Sequence, residues 1–453
     1  MDYRASISYL RSLTDMERDP AQAFAPVNFD LGRVESLLAR LDSPHLGRRT
    51  VHVAGSKGKG SIATMIATIL TEVGLKVGLY TSPHLHRYEE RLAVNLHAVD
   101  EARFASLATT VRPALEAEAR DGDFGEPSTF EALTAMAFLL FKDEGCDVQV
   151  LEVGLGGRLD ATNVQLGEKL CVIGPIGLEH TAILGDTVAA IAGEKAAIIG
   201  SGDRAIMAPQ RESAADVIRA HCRERGAQLY EVADTVQMRL GSLALDGRDV
   251  VIQTPQSRYD LKLPVLAREQ AQNAAAAILA AERSVDDLDP AVVKRALASL
   301  RLPGRQELIK RKPRVLVDVA HTEDSIRALA RTLGELGAAQ VTLVFAPLAD
   351  KHLQDMAQAI APLCSAAIAT AAPHPRAASP QDVVLAFTAL EVPTYQAPDV
   401  DAALQLATEL VGDNGWLVVA GSFAAVAAAR AAVLGLTPAL IEGDPARIPA
   451  EGQ

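Results

Sequence analysis

The stretch "VHVAGSKGKGSIATM" (51–65) decides the fold. A β-branched apolar run, "TVHVA" (50–54), enters glycines interleaved with lysines and passes straight into an alanine-rich apolar run that reads as a helix. A helix N-terminus exposes unpaired backbone N–H groups and a partial positive charge, so it attracts phosphate. Gly55, Gly58 and Gly60 remove the Cβ atoms that would hold a phosphate away from those amides, and Ser56 and Lys57 lie in the same cradle. Lys59 can reach the outer phosphates, and Ser61 can offer a hydroxyl to phosphate or Mg²⁺. The plain alternative is a tight turn with solvated lysines. Strand, glycines, lysine, hydroxyl and helix nevertheless stand in the order a phosphate site requires. The text departs from G-x-x-x-x-G-K-[ST], because Val53 occupies the first glycine position and Gly60 separates Lys59 from Ser61. A generic P-loop ATPase describes it poorly.

Outward from this turn, strand-like and helical runs alternate, which predicts α/β architecture with a largely parallel sheet. Strands are expected at 50–54, 76–80, 147–153, 169–174 and 204–208, with helices at 61–73 and 129–144. Residues 228–254 read as antiparallel hairpins turning at the "DG" of 246–247. Helices at 267–284 and 290–300 precede the Pro-Gly pair of "RLPGRQELI" (301–309), a hinge signal. A second series of strands follows at 314–321, 340–347, 365–373 and 415–422, each with a helical run behind it. The expected organisation is an N-terminal P-loop-type mononucleotide-binding domain (1–301) and a smaller Rossmann-like C-terminal domain (302–436). Residues 437–453, rich in Pro and Gly, are expected as a flexible tail.

Composition sets the outer bounds. With 453 residues, 49% hydrophobic and 22% charged, the chain has the makings of two soluble domains. A net charge of −13 argues against general nucleic-acid binding, though a local nest can still be positive. Cys146, Cys171, Cys222 and Cys364 are scattered without a CxxC pair, so neither a disulfide framework nor a zinc site is indicated. The first residues, "MDYRASISYLRSL", hold no apolar signal core, and no apolar run reaches membrane-spanning length. The expected setting is cytoplasmic.

Three carboxylates and two cations attract notice beyond the turn. Glu152 closes the apolar run "DVQVL", at the strand end that faces the ligand crevice of a parallel sheet, where it could hold the metal of MgATP. Asp318 ends the strand "VLVDV" in the same way, a position from which carboxylates bind ribose hydroxyls, and His321 follows it. Asp160 of "RLDATN" is a carboxylate that, if buried, could accept paired hydrogen bonds from a ligand's donors. Lys195 in "IAGEKAAII" has apolar neighbours and needs a partner, for which Glu194 and Glu152 are the candidates. Arg305 of "PGR" is a fixed cation able to brace phosphates. Phe130 is as readily core as ligand contact. The "GLGG" at 154–157 is no dinucleotide fingerprint, since Leu159 stands at its third glycine position.

"HVAGSKGKGS" resembles the nucleotide loop of the folylpolyglutamate synthases and dihydrofolate synthases of the Mur ligase superfamily. Ser56 stands where that family usually has threonine. The resemblance runs on through "YTSPHLHRYEERLAVN" (80–95), "STFEALTAMAF" (128–138), "EVGLGGRLDATNV" (152–164) and "IGLEHTAILGDTVAAIAGEKAAII" (176–199). It continues with "REQAQNAAAAILA" (268–280), "LPGRQEL" (302–308), "VDVAHTEDS" (317–325) and "GSFAAV" (421–426), covering nearly the whole chain.

The resemblance implies an ATP-dependent ligase that joins L-glutamate to folates through an acyl phosphate. Dihydropteroate is a second acid substrate to expect; a dihydrofolate synthase alone and a nucleotide-binding non-ligase paralogue are the alternatives. It implies ATP contacts from Gly55, Ser56, Lys57, Gly58, Lys59, Gly60, Ser61, Asn273, Arg305 and Asp318, and a cleft-facing catalytic role for His321 beside Lys59 and Lys195. It implies Mg²⁺ ligands at Ser82, Glu152 and His180, and a carbamylated Lys195 that binds a second Mg²⁺. Folate would meet Ser128, Thr129, Phe130, Glu131, Leu159, Asp160 and Ala161. The protein is expected to be monomeric. "AGEKAAI", "DVAHT" and "GSFAAV" depart from the family's usual R-E-K-A-G, D-G-A-H-N and G-S-L-Y.

Overall fold

The computed structural model describes residues 1–15 and 30–436; the expected tail, 437–453, lies outside them. The first sheet takes eight strands: β1 (Arg49–Ala54), β2 (Val77–Tyr80), β3 (Leu92–Val94), β4 (His97–Ala98), β5 (Val148–Glu152), β6 (Lys169–Ile173), β7 (Arg204–Met207) and β8 (Gln228–Glu231). Their order is β4-β3-β2-β5-β1-β6-β7-β8, parallel except for the antiparallel β2–β3 and β3–β4 pairs.

The central strands β5 and β6 are buried along their whole length, and β1 along all but its first residue. Their Val, Leu, Ile and Cys fill the cores on both faces, while the buried His52 and Gln149 are hydrogen-bonded to Thr162 and Thr50. Val51, Val53, Val148 and Val150 point one way, onto Ile62, Met65 and Ile66 of the helix Lys59–Glu72 and onto the helix Arg268–Ser284 behind it. Leu151 points the other way, into a core built by Phe104, Leu133 and Phe138.

The expected hairpin region divides. β8 is not antiparallel; it joins the edge of the large sheet parallel to β7. Only β9 (Gln237–Ala244), β10 (Gly247–Gln253) and β11 (Arg258–Leu263) form an antiparallel sheet, turning at Gly247 with φ +134°. That turn admits no side chain, because a Cβ would lie 2.1 Å from the Leu263 carbonyl oxygen.

A second α/β unit follows, with β12 (Glu307–Arg311), β13 (Arg314–Asp318), β14 (Val341–Phe345), β15 (Cys364–Ala369), β16 (Thr394–Gln396) and β17 (Trp416–Ala420). Its order is β12-β13-β17-β14-β15-β16, antiparallel only at β12–β13. Leu316, Leu343 and Phe345 face one core and Val315, Val317 and Val344 the other. The units touch through Leu85 of the first, which packs on the second unit's core, and through a 2.8 Å ion pair between Arg331 and Glu269. Among the described residues no helix is long and apolar enough to cross a membrane.

Candidate active site

β1 delivers the glycine-lysine turn to the carboxyl end of the first sheet. Gly58 caps the helix Lys59–Glu72 in the left-handed conformation, φ +77°, and no side chain caps that helix. Its first amides therefore have no partner from a capping side chain. A Cβ on Gly58 would lie 2.6 Å from Asn273 Oδ1, and one on Gly60 would lie 3.1 Å from Glu152 Oε2. The glycines thus let two polar side chains close on the turn. Gly55 backs onto Gly174 with room for nothing between them. The amides of Ser56 and Lys57 are already engaged, both donating to the Pro175 carbonyl, and Ser56 Oγ donates to Gly177 O. The amides left for an anion are those at the helix start.

Glu152 ends β5, beside β1, and is buried; its Oε2 accepts from the Ser82 amide at 2.9 Å. Lys59 folds back on the Gly55 carbonyl at 3.0 Å. Lys195 is 1% exposed and pairs at 2.8 Å with Glu179 rather than with Glu152 or Glu194. Glu194 instead holds Arg158. Burial pulls the Lys195 ammonium down to about 8 against the opposing pull of Glu179. Burial acts on Glu179 as well, yet Lys59 and Lys195 together keep its carboxyl below the usual range. His180 begins the short helix Thr181–Leu184 with φ +46° and its side chain is exposed.

The second unit supplies the opposite wall. Arg305 has its guanidinium 4.8 Å from the Phe423 ring and faces the carboxylates of Asp318 and Glu152. Burial pushes the Asp318 carboxyl up to about 7, with Arg305 opposing. Burial, then the nearby Lys57, holds His321 down to about 3, so its imidazole is neutral. With Nδ1 2.9 Å from the Val319 carbonyl, the ring must donate from that nitrogen and leave Nε2 as an acceptor. Lys351, on the loop after β14, acts on Lys57, His180 and His321 and belongs to the same cluster. Lys57, Lys59, Lys195, Arg305 and Lys351 outnumber Glu152, Glu179 and Asp318. A cation-rich cleft on a chain of net charge −13 is a site for a polyanion.

The residues expected to meet folate are arranged differently. Ser128 and Glu131 form a reciprocal cap on the helix Thr129–Asp143, and Glu131 also takes a buried ion pair from Arg33 at 2.9 Å. Thr129 Oγ1 donates to Leu10 O. The polar atoms of these three side chains are satisfied within the protein. Asp160 is buried, and its Oδ2 accepts from the amides of Gly154 and Leu155 while its Oδ1 accepts from the Thr162 amide and hydroxyl. The expectation of a free paired acceptor for a pterin is not met, because the loop's own donors occupy both oxygens. Phe130 lies over Gly154, and its ring is 5.8 Å from that of Tyr80. Ala161 is buried, and Leu159 is 45% exposed at the loop's tip.

For a metal, the cleft offers hard oxygen donors in Glu152, Ser61 and Ser82 next to the phosphate turn. Among the described residues no group of three or more His, Cys, Asp and Glu could hold an ion alone. That donor set suits Mg²⁺, which is held by one or two carboxylates together with substrate phosphate and water. The Lys195–Glu179 side is different: an ammonium there excludes a cation. Glu179 and Lys351 were not singled out from the sequence. Glu179 precedes His180 directly, and Lys351 follows a strand's carboxyl end, the same signal that marked Asp318.

The sheets, the uncapped turn and the facing cations define a Mur-type ATP-dependent ligase. The profile of the Mur ligase middle domain matches residues 53–281, and that of the Mur ligase glutamate ligase domain matches 304–423. The dihydrofolate synthase/folylpolyglutamate synthase of Bacillus subtilis is 33% identical over 400 residues, 86% of this chain and 92% of that one. Its counterpart from Mycobacterium tuberculosis is 32% identical over 433 residues, 91% of this chain and 88% of the other. The M. tuberculosis folylpolyglutamate synthase complexed with ADP superposes with a TM-score of 0.88 at 30% identity, covering 96% of this chain and 100% of that one. Escherichia coli FolC in complex with DHPP and ADP gives 0.82 at 28%, covering 96% and 98%. The chain belongs to the folylpolyglutamate synthase/dihydrofolate synthase family.

Proposed function

We propose that this ligase adds L-glutamate to folates and to dihydropteroate, with ATP bound between the glycine-lysine turn and Arg305. The observation that carries this reading is the cation-rich cleft between two sheet ends, with an uncapped helix start at its floor. The bifunctional names of the B. subtilis and M. tuberculosis relatives support both acid substrates. We take 1–301 and 302–436 as the two domains, the protein as a monomer, and the cytoplasm as its setting.

The acid's carboxylate attacks the γ-phosphorus, breaking the bond to ADP and forming an acyl phosphate. The amine of glutamate then attacks the acyl carbon, and phosphate leaves. Lys59 must release Gly55 O and swing to the transferring phosphoryl group, while Arg305 braces it from the other side. Asn273, against Gly58, fixes the turn, and Asp318 takes the ribose hydroxyls. His321, neutral with Nε2 as acceptor, is oriented to receive a hydrogen bond from the incoming ammonium or amine. Mg²⁺ held by Glu152, Ser61 and Ser82 would neutralise charge on the phosphoryl oxygens. Closure of the second domain excludes water from the acyl phosphate.

Lys195 becomes an acid by carbamylation. A lysine titrating near 8 exposes enough neutral amine to react with CO₂. The product places a second carboxylate beside Glu179, with His180 adjacent, and a further Mg²⁺ fits that set. The decisive assay follows phosphate release with dihydropteroate or tetrahydrofolate, each with and without glutamate. Release that requires both an acid and glutamate is expected; release indifferent to them would mark a nucleotide switch. For Lys195, the mass of the native protein should show an added CO₂, and formate or acetate should partly restore Lys195→Ala. An unmodified mass and no rescue would leave the Glu179 ion pair as the whole role.

A further inference from the structure

The hinge that carries Arg305 is held in a demanding conformation. Gly304 has φ +69° and Gln306 has φ +49°, so Arg305 sits between two left-handed residues. Such backbone persists only where its surroundings over-determine it. The surroundings are specific: the Gly304 amide donates to Glu307 Oε2 at 2.9 Å, and the Gly304 carbonyl accepts from the Val319 amide at 2.8 Å. A Cβ at position 304 would press on Val319, Val426 and Leu85 at 3.1, 3.2 and 3.4 Å.

Glu307 is itself fixed from outside. Arg430, on the helix Phe423–Leu434, donates Nε to its Oε2 at 2.9 Å and Nη2 to its Oε1 at 3.2 Å. The remaining arm of that guanidinium, Nη1, lies 3.1 Å from Nε2 of His86, a residue of the other domain. His86 and Leu85 stand on a loop stapled by one carboxylate, Glu90, which accepts the amides of Leu85, His86 and Arg87 at 2.7, 3.0 and 3.1 Å. The same loop begins at Ser82, whose amide binds Glu152, the carboxylate that Arg305 faces. The contacts form a circuit from Glu152 through the loop, His86, Arg430, Glu307 and Gly304, and back through Arg305 to the site.

We propose that His86, Arg430 and Glu307 form an interdomain latch that positions Arg305, so that docking of the C-terminal domain and completion of the phosphate site are a single event. This rests on Arg305 acting on ATP, as proposed above. Arg430 and His86 are positioning residues, since neither touches the cleft. Arg430 suits the task because a planar fork can serve Glu307 with two arms and still reach His86. Lysine, with one compact charge, cannot hold both.

The test uses the whole enzyme with saturating folate and glutamate. In Arg430→Met, a displacement of Arg305 by about an ångström should lower kcat by roughly ten- to a hundredfold. Folate KM and thermal midpoint should stay near wild type. Arg430→Lys should recover little. His86→Gln keeps a hydrogen-bond acceptor and should retain most of the rate, whereas His86→Lys, which repels Arg430 from a domain that Arg430 does not help to fold, should lose it. The deciding comparison is in an Arg305→Ala background, where adding Arg430→Met should cost nothing further. If Arg305→Ala lowers the rate and the second change lowers it again by its full factor, the latch does not act through Arg305 and the proposal falls. If Arg305→Ala is itself harmless, the placement of ATP fails, and the latch fails with it. If Arg430→Met chiefly lowers the thermal midpoint and leaves kcat intact, the contact is structural only and the proposal is overturned.

Discussion

The turn proposed for the nucleotide and the segments proposed for folate flank the same sheet, yet they treat their polar groups in opposite ways. At the turn, the helix Lys59–Glu72 starts without a capping side chain, and Lys59 holds only a backbone carbonyl. In the other segments, Ser128, Thr129, Glu131 and Asp160 are satisfied by the protein itself. Groups kept waiting in this way suit a phosphate, and they cost stability until a ligand arrives. The segments proposed for the pterin instead present groups already satisfied, which would leave Phe130 and the loop backbone to make contact. The first arrangement favours charge recognition and the second favours shape.

That contrast can be broken first at Glu131. Glu131→Ala leaves Arg33 buried and unpaired and removes a helix cap, so a loss of about 3–5 kcal/mol in urea unfolding is expected. Turnover per folded molecule should change little; a large loss of turnover at unchanged stability would make Glu131 a ligand group after all. Lys59→Ala should do the reverse. It should leave the urea midpoint unchanged and cost about 3 kcal/mol in the transition state, on the order of a hundredfold in kcat. Near-normal turnover would remove the lysine from the phosphate.

Asp318 gives a smaller effect with a pH signature. Its carboxyl rises from 3.8 in the unfolded chain to about 7 when folded, so the folded state holds the proton more tightly. Stability from this group is fully present below pH 3.8 and is lost as pH rises through 7. At 1.36 kcal/mol for each tenfold in proton affinity the ceiling is roughly 4 kcal/mol. With Arg305 remaining nearby, Asp318→Asn should stabilise the ligand-free protein by about 1–2 kcal/mol at pH 8 and by almost nothing at pH 4. Equal changes at both values would refute the assignment. The smallest change in substrate preference is expected for Asp160→Asn. Because Asp160 organises the loop, specificity constants for dihydropteroate and tetrahydrofolate should fall together, their ratio staying within about threefold. A loss confined to dihydropteroate would restore the pterin contact expected from sequence.

The parallel core was legible in the chain because strands buried on both faces are rich in β-branched and aliphatic residues with few polar interruptions. The run 147–153 contains β5, and 169–174 contains β6. Short strands at or next to the sheet edges, such as β3, β4, β12 and β16, carry no such run and are absent from the expected strands. β8 was misread as a hairpin arm because a four-residue strand does not reveal the direction of its neighbour. The parts that meet at the cleft were readable where glycines and strand ends mark them, at 55–61, Glu152 and Asp318. The partner of Lys195 was not readable, since Glu179 lies 16 residues earlier in the chain and only the turn after β6 brings it within 2.8 Å. The hydrogen bonds of Asp160 to its own loop were not readable, because a carboxylate in a loop looks the same in sequence whether it serves a ligand or its own backbone.

The strand order has a consequence for synthesis. β1 lies between β5 and β6, with Val53 opposite Glu152 on one side and Val172 on the other. Translation makes the phosphate turn early, yet both neighbours of its strand emerge only with residues 148–152 and 169–173. Until then a strand whose two faces are both destined for burial waits with two unpaired edges, the kind of surface on which nascent chains aggregate. A ribosome stalled before residue 148 therefore releases a fragment that carries the nucleotide signature in full and has no framework to display it.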